Sequence, residues 1–290
     1  MNQRRGSAAL QNRQPKGLSK HEIALTVAVV GLTAMVFFPT LRWLVASWSS
    51  NPYYSHGFLV PLLSAYFAWR KRDALKHRKP HNIGLTVLAL GLAIHLLAFL
   101  WQAHLVSALA LVLVLAGLLL YFYGLETVRQ MLFPLGFLLL MIPLPFVERL
   151  APALEAFVSR YATLVVQALG TPADNLGAQV RLAGGSFIIG APCSGLRSIV
   201  SLFTLAVVFA YVFSGPLIGK IVLLAAAPFI AMIANLVRVA SLLQVAHLFG
   251  PEVGMKYYHT LASPLIFLVA FTLLIILGRI LGCSELRQDT

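Results

Sequence analysis

The chain has 290 residues, of which 59% are hydrophobic and 11% charged, and its formal net charge is +13. Soluble domains are about 25% charged, so this composition excludes an ordinary soluble enzyme and is typical of a polytopic membrane protein. The basic excess does not indicate a nucleic-acid partner, because nucleic-acid binding requires a basic face on a folded domain. Membrane proteins instead carry their excess Lys and Arg in cytoplasmic loops.

Hydropathy divides the chain into two short tails and one transmembrane domain. Residues 1–21 are basic and rich in Gln, Asn and Ser, which predicts a disordered cytoplasmic tail. Residues 22–282 form a single transmembrane domain, and residues 283–290 form a second cytoplasmic tail. A membrane span needs roughly 20 apolar residues. The apolar runs predict an all-α fold of about eight spans, near 22–46, 57–70, 83–101, 104–122, 130–146, 194–213, 218–243 and 261–281.

The distribution of Lys and Arg predicts the orientation. The two strongest basic clusters lie in residues 1–21 and 70–79, and they fall on the same side if two spans separate them. Because Lys and Arg of short loops favour the cytoplasm, we predict that both termini are cytoplasmic. The starts of the sixth and eighth spans and the end of the seventh then meet at the outer face.

The less apolar segment 147–192 is predicted to lie outside, before the sixth span. Charges interleaved with apolar residues at 147–169 favour an amphipathic helix at the interface, although an additional inserted span fits the same pattern. Alternating runs at 178–182 and 186–190 flank a Gly pair, which predicts a small outer β-hairpin.

Cys193 directly precedes the sixth apolar run. A lone membrane cysteine is usually an inert, small hydrophobic residue. Here, however, the thiol lies near a helix N-terminus, whose positive potential favours a thiolate and whose free N–H groups could hold an oxyanion. Gly195 would permit the close approach of another backbone. Cys283 lies near the opposite membrane face, which excludes a disulfide between the two cysteines.

Arg238 lies within the apolar seventh span. An Arg in a membrane span is expensive and indicates a functional site, and the alternative is that its side chain reaches the outer headgroups. Asn235 is three residues earlier on the same helical face. Its amide would orient a substrate carbonyl, or else only bond a neighbouring helix.

Two histidines are candidate general bases at the outer face. His259 begins the eighth span; an interfacial His is usually structural, but this one shares its membrane face with Cys193 and Arg238. His56 is a rival base at the outer end of the second span, and its alternative role is an interfacial hydrogen bond. The chain has no His-Glu-x-x-His zinc motif, so we expect no metal and no cofactor. Glu148 and Glu155 are interpreted as interfacial charges.

Three motifs in the order "PCSGLRS", "NLVRVASL" and "HTLASP" resemble the exosortase/archaeosortase family of multi-pass membrane cysteine transpeptidases. The resemblance covers most of the chain, from "YYSHGFLVPLLSAYFAWR" to "HTLASPL". It implies that Cys193, Arg238 and His259 are catalytic. The residues that we expect to support the site or bind substrate are Ser194, Gly195, Arg197, Asn235, Tyr54, Ser55 and His56.

The resemblance further implies the substrate and the location. The substrates would be membrane-anchored proteins with a C-terminal sorting signal, made of a Pro-Glu-Pro type motif, a transmembrane helix and a basic tail. The enzyme would lie in the bacterial inner membrane with its active site facing the periplasm, and a lipid-linked group is a candidate acceptor for the cleaved protein. Arg238 would stabilise either the thiolate or the oxyanion.

Two other functions remain open at this stage. A transporter or flippase for a lipid-linked or polysaccharide substrate would also use an intramembrane Arg beside an Asn, but it would tolerate Cys193→Ser. An acyltransferase acting on lipids would use His56 or His259.

Overall fold

The computed structural model describes residues 20–76, 79–190 and 193–287, without the side chains of residues 20–23, 76, 255, 257 and 259. The predicted disordered tail at 1–21 lies outside the described residues, except for the two residues that begin the first helix. The end of the second tail, 288–290, also lies outside them.

The described ranges are mostly helical. The helices of the first half are α1 (Lys20–Val36), α2 (Phe38–Ser50), α3 (Leu59–Arg70), α4 (Ile83–Leu100), α5 (His104–Tyr123), α6 (Leu125–Gln130) and α7 (Leu132–Phe137). Those of the second half are α8 (Pro145–Arg149), α9 (Ala151–Ala168), α10 (Leu196–Val212), α11 (Leu217–Phe249) and α12 (His259–Ile280).

Four helices of the described ranges, α4, α5, α11 and α12, are long and apolar enough to cross a membrane. Two bent helix pairs raise the number to six if each pair is one span. The predicted total of eight would also need the shorter helices α3 and α10, which have 12 and 17 residues. The eight crossings and the orientation of the termini therefore stay predictions, whereas a largely helical membrane protein is confirmed.

Two predicted spans are not continuous helices. The first bends by 70° between α1 and α2, where Pro39 occupies the first turn of α2. The fifth breaks into α7, a 3-10 turn at Leu138–Met141 and α8, and Ile142 is extended. Proline lacks the N–H that a helix requires and disfavours the helical conformation in the residue before it, so Pro39, Pro143 and Pro145 account for both breaks.

The segment between α9 and α10 is a three-stranded antiparallel sheet. Its strands are β1 (Ala173–Leu176), β2 (Gln179–Leu182) and β3 (Gly185–Ile188), in the order β1-β2-β3. Strands β2 and β3 fall in the two alternating runs, and β1 is an additional strand that lacks a strong alternating pattern. The buried residues Val180 and Phe187 are paired across β2 and β3.

Helix α11 is the element around which the site is built. One buried cluster joins its second half to α9, the sheet and Cys193, and another joins its first half to α10 and α12. Helix α9 packs its fully buried Val158, Ala162 and Val166 into the first of these clusters. Whether α9 lies at the interface or inserts with α7 as one bent span stays open.

Cys283 lies at the far end of α10 from Cys193. Strand β4 (Phe213–Ser214), at the end of α10, pairs with β5 (Glu285–Leu286), and Cys283 is fully buried there beside Gly215. A 17-residue helix is about 25 Å long, which is much too far for a disulfide. Neither cysteine forms a disulfide.

Candidate active site

Cys193 lies in a buried turn that leads into α10. Its backbone N–H donates to the carbonyl of Gly190 at 2.8 Å, and the residue is 6% exposed. Ser194 is buried as well, and its Oγ accepts a hydrogen bond from the N–H of Leu196, the first residue of the helix. The thiol therefore lies two residues before Gly195, which is the N-cap of α10.

Asn235 of α11 holds this turn in place. Its Nδ2 donates to the carbonyl oxygen of Cys193 at 2.9 Å, between two buried groups. Gly195 has a φ of +83°, and a Cβ at this position would lie 2.7 Å from Nδ2 of Asn235. Gly195 thus makes room for a side chain, and the expected close approach of another backbone is wrong. The Asn235 amide donates to a carbonyl of the protein itself.

Arg238 lies on the same face of α11 and is 8% exposed. Its Nη1 donates to Oγ of Ser263 on α12 at 3.2 Å, so the guanidinium is held inside the protein and does not extend to the headgroups. Burial raises the pKa of the Cys193 thiol, while the charge of Arg238 lowers it and the charge of Glu155 raises it further. The interpretation of Glu155 as an interfacial charge stays a prediction.

A small cavity lies between α10, α11 and α12 beside these groups. Its polar lining comes from Ser198, Asn235, Arg238 and Ser263, and it has room for about one water molecule. Ile266 separates this cavity from an open apolar groove between the end of α11 and the start of α12, since it lines both.

The structure leaves the predicted role of His259 undecided. His259 is the first residue of α12, four positions before Ser263, and residues with this spacing share one face of a helix. Its side chain lies outside the described part of the structure, so its approach to the thiol stays a prediction. Arg197 is exposed at the start of α10, and its supporting role stays a prediction.

The residues predicted at the outer end of the second span serve mainly to bind backbone. Tyr54 Oη donates to the carbonyl of Leu144 and accepts from its N–H, and His56 Nε2 bonds the carbonyl of Leu140 at 3.2 Å. Burial lowers the pKa of His56. Ser55 bonds only the carbonyl of Pro52, at 3.4 Å. None of the hydrogen bonds described for these three residues reaches the cysteine turn.

Tyr53 and Ser263 are the site residues that sequence reasoning missed. The Tyr53 side chain hydrogen-bonds Ser194, and burial raises the pKa of the Tyr53 phenol while this bond lowers it. The adjacent pair Tyr53 and Tyr54 carries no sequence signal that tells which ring meets the cysteine turn. For Ser263 the signal was available, because it follows His259 by one helical turn.

No group of three or more His, Cys, Asp or Glu side chains in the described part of the chain is arranged to hold a metal ion. The chemistry available at this site is that of a buried thiol with a fixed cation and several hydroxyl and amide groups around it. Burial, the largest effect, favours the neutral thiol of Cys193, and the charge of Arg238 opposes it by favouring the thiolate.

Comparison with known protein families identifies a match over most of the chain. The family model of transmembrane exosortases matches residues 48–276, a range that includes Cys193, Arg238 and His259. No curated protein and no solved structure matches the chain.

Proposed function

The chain belongs to the transmembrane exosortase family, and we propose that it is a membrane-embedded cysteine peptidase or transpeptidase that cleaves the C-terminal sorting signal of exported proteins. The observation that carries this proposal is the setting of Cys193. Its carbonyl is held by Asn235, and its thiol is under the charge of Arg238.

The proposed substrates are membrane-anchored proteins whose signal contains a Pro-Glu-Pro type motif, an apolar helix and a basic tail. The cleavage site faces the periplasm of the bacterial inner membrane. The apolar groove next to Ile266 supports such a substrate, because it would place an apolar helix beside the cavity that contains Arg238 and Ser263.

In the first step the Cys193 thiol gives its proton to His259, and the sulfur attacks the carbonyl carbon of the scissile bond. The carbon–nitrogen bond breaks, the leaving amine takes the proton from His259, and a thioester remains on Cys193. Arg238 offsets the burial that disfavours the thiolate, and its donors are also available to the oxyanion.

In the second step an acceptor resolves the thioester. His259 takes a proton from water or from an amine, the acceptor attacks the thioester carbonyl, and Cys193 leaves as a thiolate that regains its proton. Water gives hydrolysis, and an amine on a lipid-linked group gives transfer.

The test is co-expression of a tagged protein that carries the sorting signal with the wild type or a variant at matched levels. Cys193→Ala is expected to abolish processing, because the covalent route requires the nucleophile. Cys283→Ala is the control. This variant should process the substrate normally, because Cys283 lies at the other end of α10. Normal processing by Cys193→Ala would contradict the cysteine mechanism and would favour the transporter alternative.

A further inference from the structure

The amide of Asn235 has one satisfied group and one unsatisfied group. Nδ2 donates to the carbonyl of Cys193, whereas Oδ1 is buried and has no hydrogen-bond partner in the described part of the structure. The assignment of the two atoms follows from their chemistry, because a carbonyl oxygen only accepts and must therefore face the nitrogen. The chain thus keeps an acceptor without a donor beside its candidate nucleophile.

Such an acceptor is costly to keep. The residue is 2% exposed, and a buried polar atom without a partner loses its hydrogen bonds to water without replacement. The position of the Asn235 side chain also restricts residue 195, because a Cβ at residue 195 would clash with this side chain. Asn235 lines the same small cavity as Arg238 and Ser263, and its nitrogen bonds the turn that holds Cys193.

We propose that Asn235 is a positioning residue with two tasks: its nitrogen fixes the peptide of Cys193, and its oxygen accepts a backbone N–H of the substrate next to the scissile bond. The second task rests on the proposed function; the first does not. Peptide substrates carry such an N–H at every residue except proline. Binding of the substrate would therefore give the Oδ1 atom of Asn235 a donor.

The first task is tested by alkylation of Cys193 with iodoacetamide, in the full-length protein in detergent with Cys283→Ala as background. Asn235→Ala is expected to be alkylated several-fold faster, because release of the turn should expose Cys193, a residue that is 6% exposed in the intact protein. Gln244→Ala is the matched control on α11, since Gln244 bonds Thr171 and not the cysteine turn. Equal alkylation rates for Asn235→Ala and the wild type would overturn the tether.

The second task is tested with synthetic sorting-signal peptides that are N-methylated at one backbone position at a time. N-methylation at one position next to the scissile bond is expected to lower kcat/KM of the wild type about tenfold. The same methylation should leave kcat/KM of Asn235→Ala, which is already lower, unchanged, as in a double-mutant cycle. Asn235→Asp keeps an acceptor oxygen but loses the Nδ2 donor to the Cys193 carbonyl, so it should be alkylated faster than the wild type and still be sensitive to N-methylation. Equal losses for the wild type and Asn235→Ala at every position would overturn the substrate contact.

The two proposals fail in different ways. If the wild type and Cys193→Ala process the unmodified peptide equally, the proposed function fails, and the substrate contact of Asn235 fails with it. The alkylation rates still decide the tether in that case. If only Cys193→Ala is inactive and N-methylation affects the wild type and Asn235→Ala alike, the proposed function stands and the role of the Asn235 oxygen is wrong.

Discussion

Gly195→Ala should destabilise the protein by an amount that can be estimated from the geometry around Gly195. Gly195 has a φ of +83°, and the left-handed conformation costs a residue with a Cβ about 1–2 kcal/mol. The new Cβ would also lie 2.7 Å from Nδ2 and 2.9 Å from Cγ of Asn235. Overpacking of this kind typically costs about 1–3 kcal/mol, so the total loss of unfolding free energy should be about 2–5 kcal/mol.

Gly170→Ala is the matched control, because it separates the two costs. Gly170 has a similar φ of +86°, but no atom lies within 4 Å of its Cβ position. It should therefore lose only the conformational part, about 1–2 kcal/mol. Both changes reduce the entropy of the unfolded chain equally, so the difference between them measures the clash with Asn235.

The assay is thermal unfolding of both variants in the same detergent and at the same scan rate. A clash of about 1–3 kcal/mol should place the Tm of Gly195→Ala roughly 2–12 °C below that of Gly170→Ala. Adding Asn235→Ala to Gly195→Ala should recover part of the loss, because only the contact with the Cβ of residue 235, at 3.1 Å, remains. Equal Tm values for Gly195→Ala and Gly170→Ala, or strictly additive losses in the double variant, would refute the packing of Asn235 against Gly195.

Three further predictions concern the chemistry. Arg238→Gln should move the pH profile of Cys193 alkylation to higher pH, because it removes the charge that lowers the pKa of this buried thiol; a profile that stays in place would show that the charge does not reach the sulfur. Arg238→Lys should lower processing about 10- to 100-fold, since lysine keeps the charge but loses the planar fork, and wild-type kinetics of processing would contradict a role for that fork. His259→Ala should lower the processing rate about 10²–10⁴-fold. His56→Ala removes a hydrogen bond to backbone, so it should lower the Tm and leave the processing rate per folded molecule near that of the wild type. A large loss of processing in His56→Ala and a small one in His259→Ala would make His56 the general base.

Most of the membrane-crossing helices could be predicted from the sequence because apolar length is a local property. The predicted spans near 83–101 and 104–122 agree with α4 and α5 to within a residue. Helix α11 extends six residues beyond the prediction, since the residues at 244–249 are less apolar and the helix continues where it packs on α9. The breaks at Pro39 and Pro143 were not predicted, although proline acts on the local backbone and both residues stand in the sequence.

The sequence by itself determined the family, the helical membrane architecture and the pair Asn235 and Arg238 on one helix face, because motifs, hydropathy and helical spacing require no knowledge of long-range contacts. Only the tertiary structure decided that Asn235 bonds the carbonyl of Cys193, 42 positions away in the chain. It also decided that Tyr53, and not Tyr54, meets Ser194, and that Ser263 holds Arg238. These contacts depend on how α10, α11 and α12 pack together. The hydropathy pattern does not record which of two adjacent side chains faces the site, so it cannot predict these partners.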